Sequence, residues 1–186
     1  ADHTMELIPV ATAADALAKI KELIPAGSSV TNGSSVTLQD IGYIDHLKEG
    51  NHGWNNHQAQ IVAESDMAKQ TLVRKQLSVA DFYLGSVHAL TETGELVIAS
   101  ATGSQLPGIV YNASNLIFVV GNQKIVPTLD AAFQRIQQTV IPPEDERMKK
   151  AYGMGTLLTK TVIFHREHPM TGRKVRIILV DEPLGY

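Results

Sequence analysis

The chain has 186 residues, with 16 Lys and Arg against 19 Asp and Glu, a formal charge of −3, 44% hydrophobic residues and no cysteine. That balance belongs to a globular protein and gives no overall attraction for nucleic acid or anionic lipid. Without cysteine there is no disulfide, iron–sulfur cluster or thiolate nucleophile, no cofactor is expected, and no apolar run reaches the roughly 20 residues of a membrane helix.

The first residues, Ala1-Asp2-His3-Thr4, have neither a basic start nor an apolar stretch, so no secretory signal is expected and the cytoplasm is the expected compartment. Thr12-Ala13-Ala14-Asp15 reads as a capping box, followed by Ala13, Leu17, Ile20 and Ile24 on one helical face. Pro25-Ala26-Gly27 ends that helix, Ser29-Val30-Thr31-Asn32 reads as a strand, and Gly33-Ser34-Ser35 as the turn into a second helix. That helix carries Leu38, Ile41, Ile44 and Leu47 and stops at Gly50. Residues 51–57 form a polar loop, and 59–77 are helical by propensity.

Residues 81–87 predict a buried strand, and 89–91 and 96–98 the arms of a hairpin about Glu92-Thr93-Gly94-Glu95. Thr102-Gly103-Ser104 opens a short helix to about Tyr111. Residues 116–120, Leu-Ile-Phe-Val-Val, are continuously apolar, as in strands covered on both faces. Pro127 suits the first turn of a helix with Leu129, Phe133, Ile136 and Val140 on one face. Residues 161–166 and 175–181 predict a closing antiparallel pair around a turn-rich segment. With no internal repeat and no linker, one domain over residues 1–186 is expected. The alternation predicts an α/β fold, a mainly parallel Rossmann-like sheet flanked by helices with a C-terminal β-hairpin.

In such sheets ligands bind at the carboxyl ends of the strands, which singles out three turns. Gly33, Ser34 and Ser35, with Thr37 behind them, offer amides and hydroxyls to a phosphate or carboxylate; ordinary helix capping uses the same residues. In Thr91-Glu92-Thr93-Gly94 a carboxylate on a tight turn is the candidate general base or nucleophile, against a solvated hairpin tip. Thr102, Gly103 and Ser104 form a second cradle of amides and hydroxyls. Asp81, Gly85 and Ser86 bracket the buried strand, where Asp81 either meets a ligand or ties down the strand. Lys124, after the most apolar strand, is placed to neutralise a ligand anion, although turn lysines are usually solvated. Among seven histidines His52 and His57 lie about Trp54, without metalloprotease spacing, so no metal site is expected. The basic residues Arg166, Arg173, Lys174 and Arg176 lack interleaved aromatics and read as a solvated hairpin rather than an RNA surface. There is neither a Gly-x-Gly-x-x-Gly fingerprint nor a P-loop.

Four segments in order, residues 30–42 with Asn32-Gly33-Ser34-Ser35, 80–97 with Asp81-Phe82-Tyr83-Leu84-Gly85-Ser86 and Thr91-Glu92-Thr93-Gly94-Glu95, 117–126 with Gly121-Asn122-Gln123-Lys124, and 175–186, resemble the LUD-domain (lactate utilisation) family. The resemblance covers the chain from about Val10 to Tyr186. It implies the fold shared by ribose-5-phosphate isomerase, glucosamine-6-phosphate deaminase and the CoA transferases, and Glu92 faintly resembles the nucleophile of the last. It also implies a role in growth on lactate. Many relatives carry a cysteine cluster where this chain has residues 142–153 without cysteine, so their redox chemistry is not carried over. The expectation is a domain that binds a small anionic metabolite, with Glu92 as acid/base or nucleophile. The alternative is a non-catalytic accessory subunit of a lactate-oxidising system. Expected partners are that metabolite and either a second copy or lactate-utilisation proteins, with no nucleic acid or membrane.

Overall fold

The apolar run at 116–120 becomes the most deeply buried strand of the molecule. The computed structural model describes residues 3–186; Ala1 and Asp2, part of the stretch in which a signal was sought, lie outside the described residues. The chain begins with β1 (Glu6–Val10), α1 (Ala13–Leu23), β2 (Ser29–Asn32), α2 (Val36–Asp40), α3 (Tyr43–Glu49) and β3 (Asn55–Asn56). Next come α4 (His57–Ala63), α5 (Met67–Gln76), β4 (Phe82–Gly85), β5 (Ala89–Thr91), β6 (Leu96–Ser100), a π turn at Gly108–Asn112 and β7 (Asn115–Gly121). The rest is β8 (Ile125–Val126), α6 (Leu129–Arg135), a π turn at Ile136–Val140, α7 (Ile141–Tyr152), β9 (Lys160–Phe164) and β10 (Lys174–Val180). No helix among the described residues is long and apolar enough to cross a membrane.

A six-stranded, all-parallel sheet runs in the order β1-β10-β7-β4-β2-β3. On β7, Ile117 and Val119 face one side, where Ala16, Ile20, Leu38, Tyr43 and Trp54 from the helical layer pack on them. Leu116, Phe118 and Val120 face the other side, as the two-residue period of a strand requires. A second sheet, β8-β5-β6-β9, covers that face through Leu90, Leu96 and Ile98. Its own outer surface is closed by Ala132 of α6 and Ile136 of the π turn that follows it. The layers are helices, parallel sheet, small sheet and helix, an α/β fold with a parallel central sheet flanked by helices.

The C-terminal hairpin does not form. β9 pairs antiparallel with β6 at the edge of the small sheet, while β10 lies parallel between β1 and β7. The burial of the two strands explains the split: Val175, Ile177, Ile178 and Val180 are buried on both faces, whereas Lys160 and Thr161 are exposed. A strand apolar on both faces belongs at the centre of a covered parallel sheet. β1 carries Pro9, which an edge strand tolerates and which hid it from pattern reading. The second helix breaks into α2 and α3 because Gly42 adopts φ +76°, yet Leu38, Ile41 and Leu47 still form one buried face. Likewise 59–77 splits in two, Asp66 capping α5, and Pro127 precedes the cap Thr128 rather than opening α6. The loop at 51–57 is less polar in place than in sequence, since Trp54 and His57 are buried.

Arg173 ties together the connections that lead into β7 and β10. Its guanidinium donates to the carbonyls of Ala113 (2.9 Å), Val110 (2.7 Å), Ile109 (2.7 Å) and Gly108 (3.4 Å) and to the Glu167 carboxylate (3.0 Å). The planar fork satisfies carbonyls that the π turn leaves open, in a setting where both ionised side chains are almost wholly buried. Arg173→Met leaves Glu167 buried and unpaired, so it is expected to lower stability by about 3–5 kcal/mol. Hydrogen exchange should rise first at residues 108–113, and denaturant titration with exchange measured on both proteins checks this.

Candidate active site

From β2 the chain moves outward to β3 on one side, then returns to β4, β7 and β10 on the other. The reversal lies between β2 and β4, and at the carboxyl ends of such strands the loops diverge and leave a crevice. A cleft of about 260 Å³ opens there. Its walls are residues 33–37 after β2, 85–88 at the end of β4, 99–102 and 104–105 at the end of β6, Lys124 after β7, the start of α7, residues 156–158 and Tyr186. Gly33 permits this closure: a Cβ there would lie 2.5 Å from Gln105 Oε1 and 2.8 Å from the Tyr83 hydroxyl. Ser35 caps α2 by accepting from the Leu38 amide at 3.2 Å.

Lys124 forms the floor. It is 2% exposed, and its Nζ donates to Thr37 Oγ1 at 2.8 Å and to Ser86 Oγ at 3.1 Å. Ser86 in turn donates to the Val119 carbonyl at 2.6 Å. Among the described residues no carboxylate pairs with this ammonium; Asp40, the acid that acts on it from a distance, accepts from the Gly185 amide instead. Burial, reinforced by Arg135, pushes the lysine down to about 7. His88 stands beside it. Its Nδ1 accepts from the Ala99 amide at 3.0 Å, so in the neutral ring the proton is on Nε2. Burial, together with Lys124 and Arg135, drops the imidazole to about 4 against a weaker pull from Glu144, so it is neutral at physiological pH.

The opposite wall is α7. Glu144 accepts from Arg147 in a fork, Nε to Oε2 and Nη2 to Oε1, both at 2.7 Å. Tyr186 also donates its hydroxyl to Glu144. Burial raises the Glu144 carboxyl, but the Arg147 and Tyr186 hydrogen bonds outweigh it and the net shift is downward. The same burial and the carboxylate push Tyr186 up to about 12. Pro142 and Pro143 stand at the start of α7, and the helix ends at Gly153, φ +73°. Beyond it Leu157 and Leu158 line the mouth.

Gly33, Ser34, Ser35, Gly85, Ser86, Thr102, Ser104 and Lys124 all line this cleft. Gly103 lies in the same turn and donates its amide to Ser100 Oγ at 3.0 Å. Thr91, Glu92, Thr93 and Gly94 do not line it. Glu92 is exposed at the hairpin tip, its amide bonded to the Val126 carbonyl at 2.9 Å. Thr91 and Thr93 donate to Glu95, whose carboxyl those bonds hold down at about 2. The turn is thus built by its own side chains. Asp81 precedes β4, at the amino end of the sheet, and accepts from the Ser29 amide (2.8 Å) and hydroxyl (2.7 Å), which tie two strands together and lower its carboxyl. His52 stacks on Trp54 and His57 meets the Leu77 carbonyl, so the pair does not converge. Sequence reasoning missed His88, Glu144, Arg147 and Tyr186. For α7 the available signal was Pro142-Pro143 followed by Glu144 and Arg147 at i, i+3 and then Gly153, a helix with both ends marked.

A family model described as the LUD domain matches residues 1–165. Among solved structures, the fold is similar to the crystal structure of a DUF162 family protein from Deinococcus radiodurans. That likeness has a TM-score of 0.51 and 12% identity and covers 96% of this chain and 88% of the other. No curated protein matches the chain.

His88 sets an acid limit on the site. Its folded-state value, about 4, lies below the ordinary 6.5, so the unfolded chain binds more protons between the two. The stability contributed by the neutral ring is complete above pH 6.5 and is lost as pH falls toward 4. The melting temperature is expected to drop across that window, and His88→Gln to flatten the drop; an unchanged slope in the variant would refute the assignment.

Proposed function

The chain belongs to the LUD-domain family, and from that membership, which suggests a role related to lactate utilisation, we propose that it binds a small organic anion of the hydroxy-acid type in the cleft, with Lys124 as the charge partner. One observation carries this reading: a lysine 2% exposed, on the floor of a cleft, held by two neutral hydroxyls. An isolated buried ammonium is unfavourable by several kcal/mol and normally finds a carboxylate. A ligand carboxylate supplies the missing charge, and the serine and threonine hydroxyls around it supply hydrogen bonds. The neutral Nε2–H of His88 adds a donor for the ligand's hydroxyl oxygen.

Lys124 is also the group of the cleft whose ammonium and amine forms interconvert near neutrality. Glu92 is exposed and does not line the cleft, so this reading gives the charge role to Lys124 instead.

Two outcomes are expected. The anion favours the ammonium form, so affinity for lactate is flat below pH 7 and falls about tenfold per pH unit above it. Lys124→Met abolishes that binding and, by removing an uncompensated buried charge, stabilises the ligand-free protein by about 1–4 kcal/mol at pH 6. Calorimetric titration from pH 6 to 9, with thermal melts of both proteins, checks both. Retention of lactate binding in Lys124→Met would overturn the proposal.

A further inference from the structure

The cleft has two chemically different halves. Its floor is polar, with Thr37, Ser86 and Lys124, while its outer wall is made of Ile141, Met148, Leu157 and Leu158. Leu157 is 74% exposed and Leu158 41%, and Tyr152 and Met154, a few residues earlier in the chain, are 69% and 66% exposed. So much exposed apolar surface in one short segment marks a contact surface rather than chance.

Resting on the reading that an anion sits at Lys124, we infer that the occupant is a carboxylate with an unbranched apolar chain, its charged end on Lys124 and its chain against Met148, Leu157 and Leu158. Size points the same way. A cleft of about 260 Å³ is larger than lactate, with its six non-hydrogen atoms, can fill. Charge narrows the class further. Arg147, the cation on the outer wall, has its fork closed on Glu144, which leaves nothing there to receive a second anion such as a phosphate. The far end of the ligand is therefore uncharged, and the surface that meets it is aliphatic. Continuity between lip and floor favours one amphiphilic molecule over a protein partner.

The test uses the full chain at pH 6.5 and a series of straight-chain 2-hydroxy acids from lactate to 2-hydroxyoctanoate, titrated by calorimetry. The dissociation constant is expected to fall about fourfold per added methylene, the equivalent of 0.8 kcal/mol, until the chain passes the lip. Leu157→Asn and Leu158→Asn, uncharged polar changes at exposed positions of the lip, should abolish the dependence on chain length. Equal affinity for lactate and the longer acids would overturn the inference while leaving the anion site standing. A length dependence that survives in Lys124→Met would instead overturn the placement of the charged end, and with it the reading of Lys124. If light scattering shows a dimer that Leu157→Asn dissociates, and no length dependence is seen, the lip is a protein interface and the inference fails.

Discussion

Parallel strands hydrogen-bond their neighbours while leaving both faces apolar, and the central sheet holds only if both faces are covered. β7 states the requirement most sharply, since residues 116–120 are 0% exposed. Every other layer answers to it. Helices α1 to α3 close one face and the β5–β6 hairpin, extended by β8 and β9, closes the other. The small sheet then has an outer face of its own, which recruits α6. β10, near the end of the sequence, must insert between β1, near its beginning, and β7. Such pairings close large loops, so the sheet depends on contacts among the most distant parts of the chain.

The same arrangement creates the cleft and the unfavourable charge inside it. Strands of one direction end together, and the change of winding direction between β2 and β4 keeps their loops apart. Lys124 follows β7 directly, so the deepest strand delivers its amine to the bottom of that gap. In a stable apolar core such an amine would be replaced; here it persists with two hydroxyls and no carboxylate. A protein that keeps a destabilising group in a cleft commonly does so for the ligand it will meet. His88 carries the same tension, kept neutral by burial next to two cations.

Much of this was legible in the residues. Thr12 and Asp15 announced a capping box that forms as expected, and the apolar run at 116–120 announced a strand covered on both sides. The turns at 33–35 and 102–104, and Lys124, stood out because alternating strands and helices bring such loops to one edge. Turn chemistry alone did not reveal that Glu92 and Asp81 lie off the cleft. A carboxylate in a Thr-Glu-Thr-Gly turn reads the same whether the turn faces a cleft or solvent. Glu144 and Arg147 were passed over for the converse reason: an acid and a base three residues apart are usually a solvated pair, and only the placement of α7 against the sheet edge makes them a wall.

The sequence by itself determined the class of fold, the central strands from β2 to β7 and the family, because these follow from local periodicity, capping chemistry and ordered motifs along the chain. Tertiary structure alone decided that β9 and β10 part company into different sheets, that Pro9 lies in an edge strand, and that Lys124 is buried without a carboxylate. Those outcomes turn on which surfaces are left uncovered once the sheet has formed, a property of the assembled layers that no local window contains.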